Sequence, residues 1–179
     1  MAAGIEPLLT VADLDACPED NNRYELIEGK LFVSRAPGIP HQRLVLNLEI
    51  ILSNYLREHT VGILVPAAGA IFSDYDAVIP DLAFVRNERW DQVLTGEKST
   101  GALDLVIEVT SPGAENRRRD LLVKRQLYGK YGVAEYWSSM ATISRLKSIA
   151  CEISVWRVWE HSLRTMSLRL HCCRFQASC

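Results

Sequence analysis

The chain has no long hydrophobic run. Nowhere among its 179 residues does an uninterrupted apolar stretch approach the roughly 20 residues that a membrane-spanning helix needs. Its opening, MAAGIEPLLTVADLDACPED, has neither a basic start nor an apolar segment of signal-peptide length, so no secretory signal is expected and the expected location is cytoplasmic. Cysteine is scarce and odd in number, five in all, with no CxxC spacing. That argues against a disulfide framework and suits free thiols in a reducing compartment. A strong charge of either sign is missing too, the formal net charge being -2. This excludes a generally basic nucleic-acid coat, although a local basic patch survives such an average. Internal repeats and low-complexity tracts are lacking. What remains is a chain of 48% hydrophobic content, about one domain long and apolar enough to close a single core.

A further absence divides the chain. The last 42 residues, 138–179, contain no Gly, Pro or Asp, yet hold four of the five Cys. Lys and Arg there number six against two Glu, a net of +4, so residues 1–137 carry 14 basic against 20 acidic side chains, a net of -6. Turn-forming residues vanish at this point, while strand-like alternation persists in EISVWRV and SLRL. The expected organisation is a core over 1–137 and a divergent tail over 138–179. An out-of-frame tail and a basic appendage for a nucleic acid or partner are the two main readings of that change; a third, a zinc site on His161, His171, Cys151, Cys172 and Cys173, is argued against by the lack of CxxC or HxxxH spacing.

Within the core, residues 10–17 offer a short helix, and RYELIEGKLFVS reads as a hairpin turning at Glu28-Gly29. From Pro40 to about His59, Leu44, Leu48, Ile51, Leu52 and Tyr55 recur at helical spacing, with Pro40 suited to the first turn. Three strand-like segments follow, VGILVPAAGAIF, AVIPDLAFV and LDLVIEVTSP, which are expected to form the centre of a mixed sheet. Residues 115–131 then offer a second helix and VAEYW a further strand. This order predicts an α/β fold, a mixed sheet flanked by helices, with at least one crossover.

Two of those segments carry an acid inside an apolar pattern: Asp81 after Pro80, and Glu108 within Leu105, Val106, Ile107 and Val109. Mg2+ prefers hard oxygen ligands and is commonly held by one or two carboxylates, with water and phosphate completing its sphere. Converging strand acids would suit it, because two buried carboxylates tolerate each other only around a cation. Either acid alone could equally be a strand-end residue satisfied by backbone amides. On the helix after Glu108, Leu121, Lys124, Leu127, Tyr128 and Tyr131 fall on one face, and Lys124 interrupts its apolar character. Its ammonium either snorkels past the core edge or reaches the acids, where it could orient a water or stabilise charge on phosphorus.

At these residues the chain resembles a family. RYELIEGKL, IPDLAFV, LDLVIEVTSP and RRRDLLVKRQLYGKYGVAEYW are similar, in order, to the blocks of the Uma-two family, endonucleases of the PD-(D/E)XK restriction-endonuclease-like superfamily. The resemblance implies a restriction-endonuclease-like fold and phosphodiester hydrolysis with Mg2+ or Mn2+. It makes Asp81 and Glu108 the metal ligands. Thr110 stands where the superfamily's usual lysine would be, and Lys124 matches the migrated position that the family uses instead. Glu25 matches an additional acid near the first elements, an exposed hairpin residue being the other reading. His41 matches a histidine of the family block and offers a phosphate contact or a cap for the helix start. Arg117, Arg118, Arg119 and Arg125 could contact phosphates, or form a solvated face paired with Glu115 and Asp120. The implied partner is nucleic acid, DNA before RNA, and a homodimer is left open. Beyond EYW the family continues with strands of ordinary composition, and this chain departs from it there.

Overall fold

The computed structural model describes residues 7–96, 98–110, 119–143, 149–159 and 162–168, with side chains described over 7–94, 96, 98–110 and 121–139. A single helical turn, α1 (Val11–Leu14), precedes the hairpin β1 (Asn22–Ile27) and β2 (Lys30–Arg35). It is shorter than the 10–17 expected: beyond Leu14 the chain continues in i→i+3 turns, Ala16 N–H to the Asp13 carbonyl and Cys17 N–H to the Leu14 carbonyl, before Pro18. Glu28 and Gly29 form the predicted two-residue turn, both at positive φ, 52° and 70°, as a type I′ geometry requires. Gly29 also sits against Leu8, whose Cβ would lie 2.8 Å from an added Cβ.

The long helix α2 (Ile39–Glu58) matches its expected span and carries Pro40 in its first turn. Its apolar stripe buries Leu44, Val45 and Leu48. After it come β3 (Gly62–Pro66), β4 (Ala70–Ser73), β5 (Asp76–Val78) and β6 (Leu82–Arg86). A 3-10 turn (Asn87–Arg89) leads into α3 (Trp90–Val93), β7 (Leu94–Thr95) and β8 (Lys98–Ser99). The remaining elements are β9 (Leu105–Thr110), a π-helical turn (Arg119–Lys124), α4 (Arg125–Lys130), β10 (Glu135–Ile143), β11 (Ile149–Trp159) and β12 (Ser162–Leu168).

One mixed sheet was expected, and there are two. The first has the order β2-β1-β5-β4-β8-β7 and the second β12-β11-β10-β9-β6-β3. Residues 61–72 and 77–85 each break in the middle and send one half to each sheet. The first break falls at Ala67, whose φ of 48° is a left-handed conformation that interrupts strand pairing. The second falls at Ile79-Pro80-Asp81, where Pro80 has no N–H for a ladder. Asp81 therefore lies between two strands, not inside one. The anticipated crossover is real: β9 and β10 run parallel, joined through the π turn and α4.

Strand β9 is the centre of the molecule. Its alternation sends Val106 into a cluster with Ile27, Val78, Leu127, Tyr128 and Tyr136, while Ile107 and Val109 join Leu44, Leu48 and Leu82 beneath α2. Both faces are covered, which is why the run reads as almost continuously apolar. Strand β10 continues past Trp137 to Ile143, pairing with β9 through Met140↔Thr110 and with β11 through Ile143↔Ile149. Residues of the compositionally distinct tail thus extend the same sheet.

Candidate active site

Glu25 projects from β1, and its register in the hairpin opposes it to Phe32. It is buried, not exposed, at 1% accessibility, and its Oε1 accepts the Ile79 N–H at 2.9 Å. Two residues earlier on the same face of the strand, Arg23 donates to the Ile79 carbonyl at 3.3 Å and to Asp81 Oδ1 at 3.1 Å. The link from the first sheet to the second is in this way fastened to β1 at both ends.

Asp81 ties three elements together. Besides Arg23 from β1, its Oδ2 accepts the Val109 N–H from β9 at 2.8 Å and lies 3.2 Å from His41 Nε2 on α2. Burial by itself pushes the Asp81 carboxyl up. The hydrogen bond and charge of His41, the Val109 N–H and the Arg23 guanidinium outweigh it and hold the group below its ordinary range. The capping alternative for His41 is not observed: α2 has no side-chain cap, and the ring turns inward to Asp81. Val109 N–H is available because β6 pairs with β9 only as far as Leu82↔Ile107.

Glu108 points to the opposite face of β9, toward α4. Its Oε1 accepts Lys124 Nζ at 2.9 Å and the Tyr128 hydroxyl at 2.7 Å. Lys124 Nζ also donates to Glu25 Oε1 at 2.8 Å, across 99 residues of sequence. The lysine does not snorkel: it is 1% exposed. Its position follows from the π turn that it ends, an i→i+5 geometry common where a helix serves a functional group. Lys124 and Tyr128 are one helical turn apart, so both meet the same carboxylate. Desolvation first, then the charges of Glu108 and Glu25, push the Tyr128 phenol well above its usual range, so its hydroxyl remains a donor.

Glu25, Glu108 and Lys124 are thus assembled in one buried group, and Asp81 is joined to it through Arg23, Ile79 and Val109. Arg125 is half-buried on α4. Arg119 opens the π turn, and Arg117, Arg118 and Glu115 lie outside the described residues. Sequence reasoning missed Arg23, Tyr128 and the pairing of His41 with Asp81. A signal for Tyr128 existed, since it shares the helical face of Lys124. Arg23 gave none beyond its two-residue spacing from Glu25.

An open cleft of about 340 Å³ borders Asp81, with Arg23, Gln42 and Glu49 as polar groups and Leu46, Pro66 and Ala67 as apolar walls. Among the described residues no three His, Cys, Asp or Glu side chains come together to hold a metal ion. The site's donors are nevertheless the hard carboxylate oxygens that Mg2+ takes, and one or two of them with water and phosphate suffice for it. By donor chemistry the residues fit an ion held by one or two carboxylates and completed by water and phosphate, and do not fit a full protein cage.

Comparison with known proteins agrees with this architecture. A solved structure described as a "putative nuclease belonging to DUF820 from Anabaena variabilis" superposes with a TM-score of 0.65 at 16% identity, over 90% of this chain and 85% of that one. The likeness gives the fold, a restriction-endonuclease-like arrangement of mixed sheets and helices. No curated protein matches the chain in sequence. The model of the Uma2 family, described as "Putative restriction endonuclease", matches residues 11–143, well over half of the 179, and the chain belongs to that family.

Proposed function

We propose that the chain is a metal-dependent endonuclease that hydrolyses phosphodiester bonds of nucleic acid, DNA before RNA. The observation that carries the reading is the buried ammonium of Lys124 at 2.8 Å from Glu25 and 2.9 Å from Glu108. A fold that needed only stability would gain little from two buried acids and a lysine in place of apolar side chains. Asp81 and Glu108 would hold Mg2+ or Mn2+. When bound, such an ion polarises a phosphoryl oxygen and acidifies a coordinated water.

The chain's own residues have distinct tasks in this reading. Lys124 keeps positive charge beside Glu108, where negative charge develops on phosphorus during attack, and it is already oriented by Glu25. Tyr128 fixes the Glu108 carboxylate from the other side. Arg23 lines the cleft at 24% side-chain exposure, so its guanidinium can meet a phosphate there. His41 holds Asp81 and does not itself face the cleft. The basic side chains at Arg117, Arg118, Arg119 and Arg125 are proposed as further phosphate contacts.

Cleavage of plasmid DNA and of RNA, each with Mg2+, Mn2+ or a chelator, tests the reading. Wild type is expected to cut in a metal-dependent way, Asp81→Ala and Glu108→Ala to be inactive, and Lys124→Ala to bind metal and turn over slowly. A second reading, a non-catalytic member of the fold, is favoured by one observation: both Asp81 oxygens already have protein donors. Wild type inactive on every substrate with either metal would establish that second reading.

A further inference from the structure

One face of α2 lines the cleft beside Asp81. Gln42, Val45, Leu46 and Glu49 fall at i, i+3, i+4 and i+7, so an apolar step lies between two polar side chains roughly 10 Å apart along the helix axis. Glu49 is half-buried there, and among the described residues neither its carboxylate nor the Gln42 amide has a side-chain partner. Arg23 lines the same cleft and is held by one corner. Its bonds to the Ile79 carbonyl and to Asp81 both come from Nη1, which leaves Nε and Nη2 without a partner among the described residues. Ala67 completes the cleft with its N–H on the Asp81 carbonyl at 3.1 Å, at a φ of 48° that is costly for a non-glycine residue and concentrates at ligand sites. The cleft volume of about 340 Å³ is at the low end of small-ligand sites, roughly 300–1,000 Å³, which is room for one nucleotide and not for a duplex.

We propose that this cleft binds one unpaired nucleotide of the substrate strand, in which Arg23 takes the phosphate and Glu49 selects a base that carries an exocyclic amine. The inference rests on the nuclease reading for its class of ligand and deepens it. The free edge of the guanidinium suits a phosphate oxygen. A carboxylate in a cleft that takes a polyanion is repulsive unless the ligand brings it a donor. The amines of cytosine and adenine are such donors, and glutamate accepts from the cytosine amine. Thymine offers only a ring N–H set between two carbonyl oxygens, which repel a carboxylate. Val45 and Leu46 supply the apolar contact that the face of any base accepts. Glu49 is thus a specificity-determining residue, and the strand that reaches Asp81 is single or locally opened.

The test measures binding of two labelled single-stranded DNA probes by fluorescence anisotropy at one salt concentration, with a chelator and again with Ca2+. One probe is a short oligothymidylate, and the other is the same strand with a single central cytidine. Wild type holds the cytidine probe about tenfold more tightly, the size of one hydrogen bond to a charged group. In Glu49→Ala that preference disappears: affinity for the cytidine probe falls, while affinity for the thymidine probe holds or rises because a negative charge is gone. Alanine is the best helix former, so the melting temperature of the variant stays at that of wild type. Equal affinity of wild type for the two probes, or binding of neither, overturns the inference. So does a preference that Glu49→Ala leaves unchanged, or an equal gain for both probes, which is the mark of bulk charge alone. Cleavage of plasmid DNA with Mg2+ on the same preparations separates the two readings. Cleavage without base preference overturns this inference and leaves the nuclease reading intact, whereas Glu49-dependent selective binding without cleavage removes the nuclease reading and leaves the nucleotide site.

Discussion

Asp76 joins separate pieces of chain through one carboxylate. It accepts the Glu28 N–H at 2.7 Å from the hairpin turn, Lys130 Nζ at 3.0 Å and the Tyr131 hydroxyl at 2.6 Å from the end of α4. Burial raises its pKa, but the Glu28 amide, Tyr131 and Lys130 more than offset this, so the folded group titrates below the ordinary range. The unfolded chain then binds the proton more readily, and the stabilisation is whole above about pH 4 and drains as pH falls through the depressed value. Asp76→Asn is expected to lose roughly 2–4 kcal/mol at pH 7 in urea unfolding, and the gap from wild type should close as pH drops below about 4. A constant gap down to pH 2 would show that the carboxylate's charge is not what matters. Lys124 has a larger effect for a different reason. Lys124→Met leaves Glu25 and Glu108 buried without their shared cation, costing about 3–5 kcal/mol, and adding Glu25→Gln should recover part of it. No recovery in that double-mutant cycle would mean that the two residues do not couple.

Among the elements, the hairpin β1–β2 and the edge strand β3 depend on single glycines. At Gly29 the backbone φ of 70° favours glycine, and Leu8 closes the space that a side chain would need. Gly29→Ala is therefore expected to destabilise by about 1–2 kcal/mol from the backbone alone. At Gly62 a Cβ would run into the Val85 carbonyl oxygen and the Phe84 ring, so Gly62→Ala must push β3 off β6. Amide hydrogen exchange should report that shift as lost protection over Gly62–Pro66, with the hairpin unaffected; unchanged protection would refute the close packing. The elements themselves were largely legible. The Glu28-Gly29 turn, α2 and β9 have local signatures: a turn dipeptide, a 3.6-residue stripe with Pro40, and a run of β-branched residues. The split of residues 61–72 and 77–85 was not, because an apolar pattern states that a residue is buried and not which sheet buries it.

For the whole molecule, binding of an ion to the native state raises stability by mass action. At about a hundred times its dissociation constant, Mg2+ or Mn2+ would add roughly 2.7 kcal/mol, a melting shift on the order of 5–10 °C for a chain of this size. Asp81→Asn should lose that response, and an equal response in both proteins would remove Asp81 from the proposed metal site. The change of composition at residue 138 keeps a separate proposal open, that 138–179 derive from a shifted reading frame. Genomic DNA read in all three frames past codon 137 tests it directly. Among the described residues no helix is long and apolar enough to cross a membrane.

The sequence by itself determined the α/β class, the order of the main elements and the burial of Glu108 within β9, because side-chain periodicity and turn chemistry act over a few residues. It also put Lys124 and Tyr128 on one helical face. Only the tertiary structure decided what these groups meet. Lys124 reaches Glu25 across 99 residues and Arg23 reaches Asp81 across 58, distances in the chain over which no local pattern carries information. His41 became a partner of Asp81 because α2 packs on the face of β9 that carries Ile107 and Val109, while Lys124 found Glu108 from the other face. Which partners each acid received was set by the elements that meet around β9: β1 and α2 at Asp81, and the helical segment after β9 at Glu108.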